Sequence, residues 1–196
     1  MEIINCEQRS PEWFEIKAGV PSPSKFAEII TTKGLPSKQR DKYLYQLAGE
    51  SVAGIREDSY QSAAMQRGCE LESEARTVYE FMTGNQVVEV GFIKCDTAGG
   101  SPDGLINDDG GVEIKCPLIS THVGYKVSGK LPTTYFQQVQ GYLYITGRQW
   151  WDFFSYYPGL KPLLVRVVPD KKFHEVLHNE LIKFNEDLKK TIEKIK

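Results

Sequence analysis

The spacing of hydrophobic positions changes along the chain, and each change marks an element. In the N-terminal third the spacing is helical. A short amphipathic piece covers residues 24–30, and a longer helix starting near Pro36-Ser37 carries Tyr43, Leu44, Leu47 and Val52 on one face. A strong helix is predicted over 62–82, with Ala64, Gly68, Leu71, Ala75, Val78 and Met82 at three-and-four spacing, and Gly84 stands where a left-handed residue would end it. The period then becomes two. Residues 87–95, 98–106 and 112–116 read as three strands joined by glycine-rich turns. Thr133 or Thr134 is placed to cap a helix running to Gly147, and "WWDFFSYY" and "LLVRVV" read as two further strands. The last helix, from about Asp170, repeats Phe173, Leu177, Leu181, Phe184, Leu188 and Ile192. This order predicts an α/β protein of α+β type, a mixed sheet flanked by N-terminal and C-terminal helices.

With 196 residues, no repeat and no linker, the chain is expected to be one domain, 1–196. Hydrophobic residues at 40% and charged residues at 26% are ordinary globular values. No apolar run approaches the roughly 18 residues of a membrane span, and no signal-peptide layout is present, so a cytoplasmic location is expected. Cys6, Cys69, Cys95 and Cys116 lie far apart with no C-x-x-C pair and read as reduced thiols. A net charge of −2 gives no global attraction for a polyanion. Any such attraction has to be local, and Lys33, Lys38, Arg40 and Lys42 form the densest basic run of the N-terminal third.

The candidate chemistry lies in "GGSPDGLINDDGGVEIKCP", residues 99–117. A surface hairpin needs turn formers, which residues 107–111 supply. It needs neither Asp103 after a proline nor Glu113 and Lys115 alternating inside a strand. Alternation places Glu113 and Lys115 on one face, and a hairpin centred on Asp109 sets Asp103 opposite Lys115 and diagonal to Glu113. Slipping the register by one residue would turn Asp103 away. Two carboxylates this close repel as bare anions, and a hard divalent cation relieves that repulsion. Mg²⁺ keeps several waters and acidifies them, and a neighbouring lysine can orient or deprotonate the attacking one. The set suits phosphodiester hydrolysis.

The segments "QRSPEWFEIKAG", "RGCELESEARTVYEFMTG", "GSPDGL", "GGVEIKCP" and "YFQQVQGYLYITG" resemble the phage lambda exonuclease family, the YqaJ-like viral recombinase exonucleases of the PD-(D/E)XK superfamily. The resemblance covers nearly the whole chain. It implies a restriction-endonuclease-like core and a 5′→3′ exonuclease that degrades one strand of linear duplex DNA, leaving 3′ overhangs for recombination. It implies Mg²⁺ as cofactor, with Mn²⁺ able to substitute, held by Asp103, Glu113, Glu72 and the Ile114 carbonyl. Lys115 becomes the active-site lysine and Gln140 the glutamine beside the site. Glu70 and Glu74 are rivals to Glu72, as are Gln137 and Gln138 to Gln140. The family arginine that binds a 5′-phosphate is replaced here by Lys17, with Ser24 and Ser101 at assisting positions; apart from the resemblance, the basic run makes Lys33 a further candidate DNA contact. A ring-shaped homotrimer, a partner single-strand annealing protein and a bacterial host cytoplasm are also implied.

Two other readings compete. A non-catalytic DNA-end-binding module would be favoured by loss of a carboxylate or the lysine, yet all three are present. "HEVLH" at 174–178 fits the H-E-x-x-H pattern of zinc peptidases. Val176 and Leu177 belong to the apolar stripe of the last helix, and a chance match in an amphipathic helix explains the motif better. Trp13, Trp150 and Trp151 are expected in the core rather than stacked on bases.

Overall fold

The computed structural model describes residues 1–55 and 62–196. The chain opens with β1 (Glu2–Ile4) and then runs α1 (Pro11–Lys17), α2 (Phe26–Ile29), α3 (Arg40–Ala53) and α4 (Ala63–Thr83). Next come β2 (Phe92–Lys94), β3 (Gly99–Gly100), β4 (Gly104–Ile106) and β5 (Gly110–Lys115). They are followed by α5 (Ile119–Ser128), α6 (Phe136–Thr146), β6 (Trp150–Ser155), β7 (Leu163–Val167) and α7 (Lys171–Ile195). Strands β1-β2-β3 form an antiparallel sheet, and β4-β5-β6-β7 form a mixed sheet in which β5 and β6 are parallel. A parallel pair needs a long crossover, which α5 and α6 supply.

The mixed sheet is covered on both faces. Val112, Ile114 and Phe154 meet Ala75 and Tyr79 of α4 on one side. Leu105 and Trp151 join Val139, Tyr142 and Leu143 of α6 on the other, in a core that continues to α3 and α7. Trp151 and Trp13 are buried, as expected. Trp150 is half-buried beneath the Arg166 guanidinium, 3.7 Å from its ring centre.

The helix expected over 62–82 is α4. Ser62 Oγ accepts from Met65 N–H and Gly84 ends it at φ 70°. The final helix matches too, with Asp170 accepting from Phe173 N–H. No threonine caps α6; a 3₁₀ turn, Thr133–Tyr135, leads into it instead. The strand expected over 98–106 is broken at Ser101-Pro102-Asp103, and its halves lie in different sheets. Pro102 has no N–H for a ladder, so the chain changes sheets there. Of the strand expected over 87–95 only β2 and a bridge between Val88 and Leu105 remain. Helix α5 escapes the apolar pattern because Ile119, Val123 and Val127 face solvent while His122 is buried.

Gly110 and Gly111 are strand residues, not turn formers. A Cβ would lie 2.1 Å from the Trp150 ring at Gly110 and 2.4 Å from the Trp151 ring at Gly111. The indoles of β6 lie against bare backbone, which keeps β5 and β6 in register. The turn itself is Asn107–Asp109, with Asn107 at φ 44°. Arg148 Nη1 donates to the carbonyls of Ile106, Asn107 and Gly110 at 2.9, 2.7 and 2.6 Å, holding the turn closed. Gly111→Ala should cost roughly 3 kcal/mol through overpacking against Trp151. An unchanged urea midpoint would show that the indole can move aside.

Candidate active site

Strands β4 and β5 pair Gly104 with Val112 and then separate. Continuing that register by one step sets Asp103 level with Glu113. The hairpin thus turns about Asp108, not Asp109 as expected, and Asp103 falls opposite Glu113 rather than Lys115. The partner shifts by two residues, so the face is preserved.

At the opening between the strands the charges converge. Asp103 Oδ2 accepts from Ile114 N–H at 2.7 Å and lies 3.9 Å from Lys115 Nζ. Lys115 Nζ also contacts Glu113 Oε1 directly. Gln138 Nε2 donates to the same Glu113 oxygen at 2.6 Å. The Lys115 carbonyl accepts from Tyr156 N–H at 2.8 Å, on the β6 side. Alternation along β5 turns the Ile114 carbonyl to the opposite edge, shared with Asp103.

Glu113 is only 1% exposed, and its Oε2 has no hydrogen-bond partner among the described residues. Burial pushes its carboxyl up to about 7, Lys115 opposing that rise and Asp103 adding to it. Burial alone would lower the Lys115 pKa, yet Glu113 and Asp103 hold it well above the usual lysine range. Without a metal, Lys115 is therefore an ammonium, a donor rather than a base.

Glu72 comes from α4, which covers the other face of the sheet. It reaches the same edge, with Arg76 Nη2 3.2 Å from its Oε1. Burial first and Asp103 second raise its pKa, while Arg76 opposes them. Its rivals are engaged elsewhere, Glu74 by the Tyr156 hydroxyl and Glu70 by Gln66. Two cavities of about 510 and 520 Å³ meet at Cys69, Glu72 and Asp103 and form one cleft.

Gln140 is a correction. Its Nε2 donates to the Val168 carbonyl, while its Oε1 accepts from Asp170 N–H and faces His174 Nε2 at 2.8 Å. It ties α6 to the start of α7, and the glutamine that reaches Glu113 is Gln138. Two residues apart on a helix is about 200° of rotation, so only one of the pair can face Glu113. Gln138→Ala should lower activity about 10- to 100-fold by freeing the Glu113 carboxylate. Gln140→Ala should act mainly on thermal stability. Equal losses of kcat/KM in two folded variants would refute this division.

The phosphate-binding candidates separate. Lys17 and Ser24 line one small pocket with Tyr43, and the buried Glu50 shares it. Ser101 is not part of that pocket. Its Oγ accepts from Trp13 Nε1 at 2.7 Å and donates to the Gly91 carbonyl at 2.6 Å, so it connects to Lys17 through Trp13, whose ring lies 4.0 Å beneath the ammonium. Lys33 sits on an exposed loop whose Gly34 packs on Val176 of α7, and Arg40 pairs with Asp187 of α7. The basic run does not line the cleft.

His174 faces Gln140 and His178 Nδ1 faces the Tyr144 hydroxyl at 2.8 Å, so both histidines serve packing contacts of α7. Among the described residues no three His, Cys, Asp or Glu side chains close on one point. The donors at the strand opening, two carboxylates and a carbonyl, suit an ion that keeps several waters. The unpartnered Glu113 Oε2 fits such an ion.

A family model, the YqaJ-like viral recombinase domain, matches residues 12–149 of this chain. The chain belongs to the YqaJ-like viral recombinase family. Among solved structures, an alkaline exonuclease from Laribacter hongkongensis is 36% identical, with a TM-score of 0.86 over 95% of this chain and 96% of that one. The same enzyme in complex with dAMP matches equally well, with 36% identity, a TM-score of 0.86 and the same coverage. A phage-related exonuclease from Haemophilus somnus 129PT shares the fold at 14% identity, with a TM-score of 0.72 over 90% of this chain and 96% of that one. No curated protein sequence matches the chain. Asp103, Glu113, Gln138, Tyr142 and Trp13 all lie within the YqaJ-like segment. Helix α7, which carries the histidine motif, lies outside it. Among the described residues no helix is long and apolar enough to cross a membrane.

Proposed function

We propose that this YqaJ-like chain is a Mg²⁺-dependent 5′→3′ exonuclease. It degrades one strand of linear duplex DNA and leaves 3′ single-stranded overhangs for recombination. The observation that carries this reading is the Glu113 carboxylate, buried with one oxygen unpartnered beside Asp103, Lys115 and the Ile114 carbonyl. The 36% identity to an alkaline exonuclease over nearly the whole chain supports a nuclease, and the dAMP complex of that relative supports a mononucleotide product. The chain acts as one exonuclease domain, 1–196, a reading supported by a core running through α2, α3, α6 and α7.

Asp103, Glu113 and the Ile114 carbonyl would hold Mg²⁺ or Mn²⁺, with Glu72 at the edge of the same opening. When bound, the ion supplies Lewis-acid polarisation of the phosphoryl oxygen and a more acidic water. Lys115 donates to the attacking water or to a phosphoryl oxygen and keeps the nucleophile aligned. Gln138 fixes the Glu113 carboxylate. Water attacks phosphorus and the bond to O3′ breaks, so a 5′-phosphate remains on the strand still to be cut. Lys17 and Ser24 bind that phosphate at the next end, with Ser101 acting through Trp13. A point charge replaces a planar fork there, so the preference for phosphorylated ends is moderate. A homotrimer around the DNA and a single-strand annealing partner complete the reading.

The test is a linear duplex labelled separately at each strand's 5′ and 3′ end, incubated with Mg²⁺ and with chelator. Mononucleotide release from the 5′ end, abolished by chelator, is expected. Binding without degradation, or loss from the 3′ end first, would overturn the proposal.

A further inference from the structure

Arg9 stands apart from the other described arginines. Arg40 pairs with Asp187, Arg76 with Glu72 and Glu89, and Arg166 with Asp152. Arg148 holds three hairpin carbonyls, and Arg67 holds the Pro117 carbonyl. Among the described residues Arg9 has no ion pair, and its Nη2 donates to Cys69 Sγ at 3.0 Å, a weak acceptor. Its backbone is left-handed, φ 71°, a conformation uncommon outside glycine. Its guanidinium helps to hold down the Glu72 pKa across the cleft but makes no ion pair among the described residues, and a strained residue so placed marks a place to look for a ligand.

The position of Arg9 suggests which one. It lines the cavity of about 510 Å³ that meets the candidate metal carboxylates at Glu72 and Asp103, together with Gln8, Ser73 and Arg76. Glu89, also in this cavity, is held by Arg76 Nη1 at 2.5 Å, and Glu7 is the other acid on its wall. The second cavity, across Glu72 and Asp103, is lined by Met65, Leu118 and Tyr135 and is more apolar. The cleft thus has a hydrogen-bonding half and an apolar half on either side of the carboxylates. A polyanionic strand crossing it meets the Arg9 and Arg76 guanidiniums in the first half and the Lys115 ammonium in the second.

We propose that Arg9 is a phosphate clamp: its guanidinium binds a phosphodiester of the strand being cut, next to the scissile one. The proposal rests on the nuclease reading above. Binding exchanges the thiol contact for charge-assisted N–H···O bonds, which a planar fork can make two at a time. The Cys69 contact parks the guanidinium in the cleft when no strand is present. This site is separate from the Lys17 pocket.

Arg9→Gly separates a binding role from a structural one, because glycine accepts the left-handed backbone without strain. Its thermal midpoint should equal or exceed that of the parent chain. Its affinity for a 5′-phosphorylated linear duplex, measured in chelator, should have a salt slope smaller by about one. In Mg²⁺ its kcat/KM should fall at least about tenfold, the loss expected of one charge-assisted contact. Methylphosphonate placed at single linkages near the end should slow the parent chain at one linkage and leave Arg9→Gly unaffected there. A salt slope and kcat/KM equal to the parent's, or methylphosphonate effects that multiply with the substitution at every linkage, would overturn the clamp. A parent chain that binds but never cuts would remove the nuclease reading, and the salt slope would still decide on Arg9.

Discussion

Lys115→Ala is expected to lower kcat about 10³-fold while leaving duplex affinity within about threefold. The lysine faces the reacting centre, whereas affinity for DNA comes mostly from backbone phosphates elsewhere. A second signature separates this from simple misfolding. In the metal-free protein Lys115 is the counter-ion of Glu113 and Asp103. Removing it leaves two carboxylates facing one another, at a cost of roughly 3 kcal/mol for a broken, largely buried pair. Mg²⁺ should restore much of the lost stability without restoring cleavage, since the ion replaces the charge but not the donor. Lys115→Arg should not recover the rate, because a planar guanidinium cannot take the ammonium's place between two carboxylates. Near-normal turnover in Lys115→Ala would remove the residue from the mechanism.

Glu113→Gln should abolish cleavage, with a loss of about 10³-fold or more, and change how stability depends on pH. The folded-state pKa of Glu113 is raised to about 7, above the usual carboxylate range. The folded protein therefore holds a proton that the unfolded chain releases at lower pH. This stabilising contribution is complete below the unfolded pKa and is lost as pH rises through about 7. Glutamine does not titrate. The stability difference between Glu113→Gln and the parent, both metal-free, should shift in favour of the variant between about pH 4.5 and 7 and level off above. Metal binding reads the same proton from the other side. Mg²⁺ affinity of the parent should rise with pH through this range, with up to one proton released per ion, and the variant should lack both effects. A pH-independent stability difference, or calorimetry showing no proton release, would mean that Glu113 is not the buried acid of the site.

Much of the site was legible because strand alternation is a strict rule. Glu113 and Lys115 had to share a face, and a Gly-rich turn short enough to keep Asp103 on that face brought the charges together. Even an error of two residues in the partner left the outcome intact. Helical side chains were less legible. Glu72 could be separated from Glu70 and Glu74 only once Gln66 and the Tyr156 hydroxyl had engaged the rivals. Gln140 and Gln138 exchanged roles because both lie on α6, and which one looks at Glu113 depends on how α6 is rotated against the sheet. Arg9 carried no signal at all. A single arginine before Ser10, which caps α1, looks solvated until the cleft is built around it.

By itself the sequence determined the local rules: the starts of α4 near Ser62 and of α7 near Asp170, the apolar stripe of α7, alternation in β5, and a turn after Ile106. These follow from backbone sterics and side-chain period, which act over a few residues. Tertiary structure alone decided where the chain changes sheets, which glutamine meets Glu113, and which phosphate candidates share a pocket. It also decided that Gly110 and Gly111 serve the indoles of β6 rather than the turn. Those outcomes depend on contacts between segments tens of residues apart, and on burial that gives a carboxylate its pKa. Neither quantity exists until the helices have closed over both faces of the sheet.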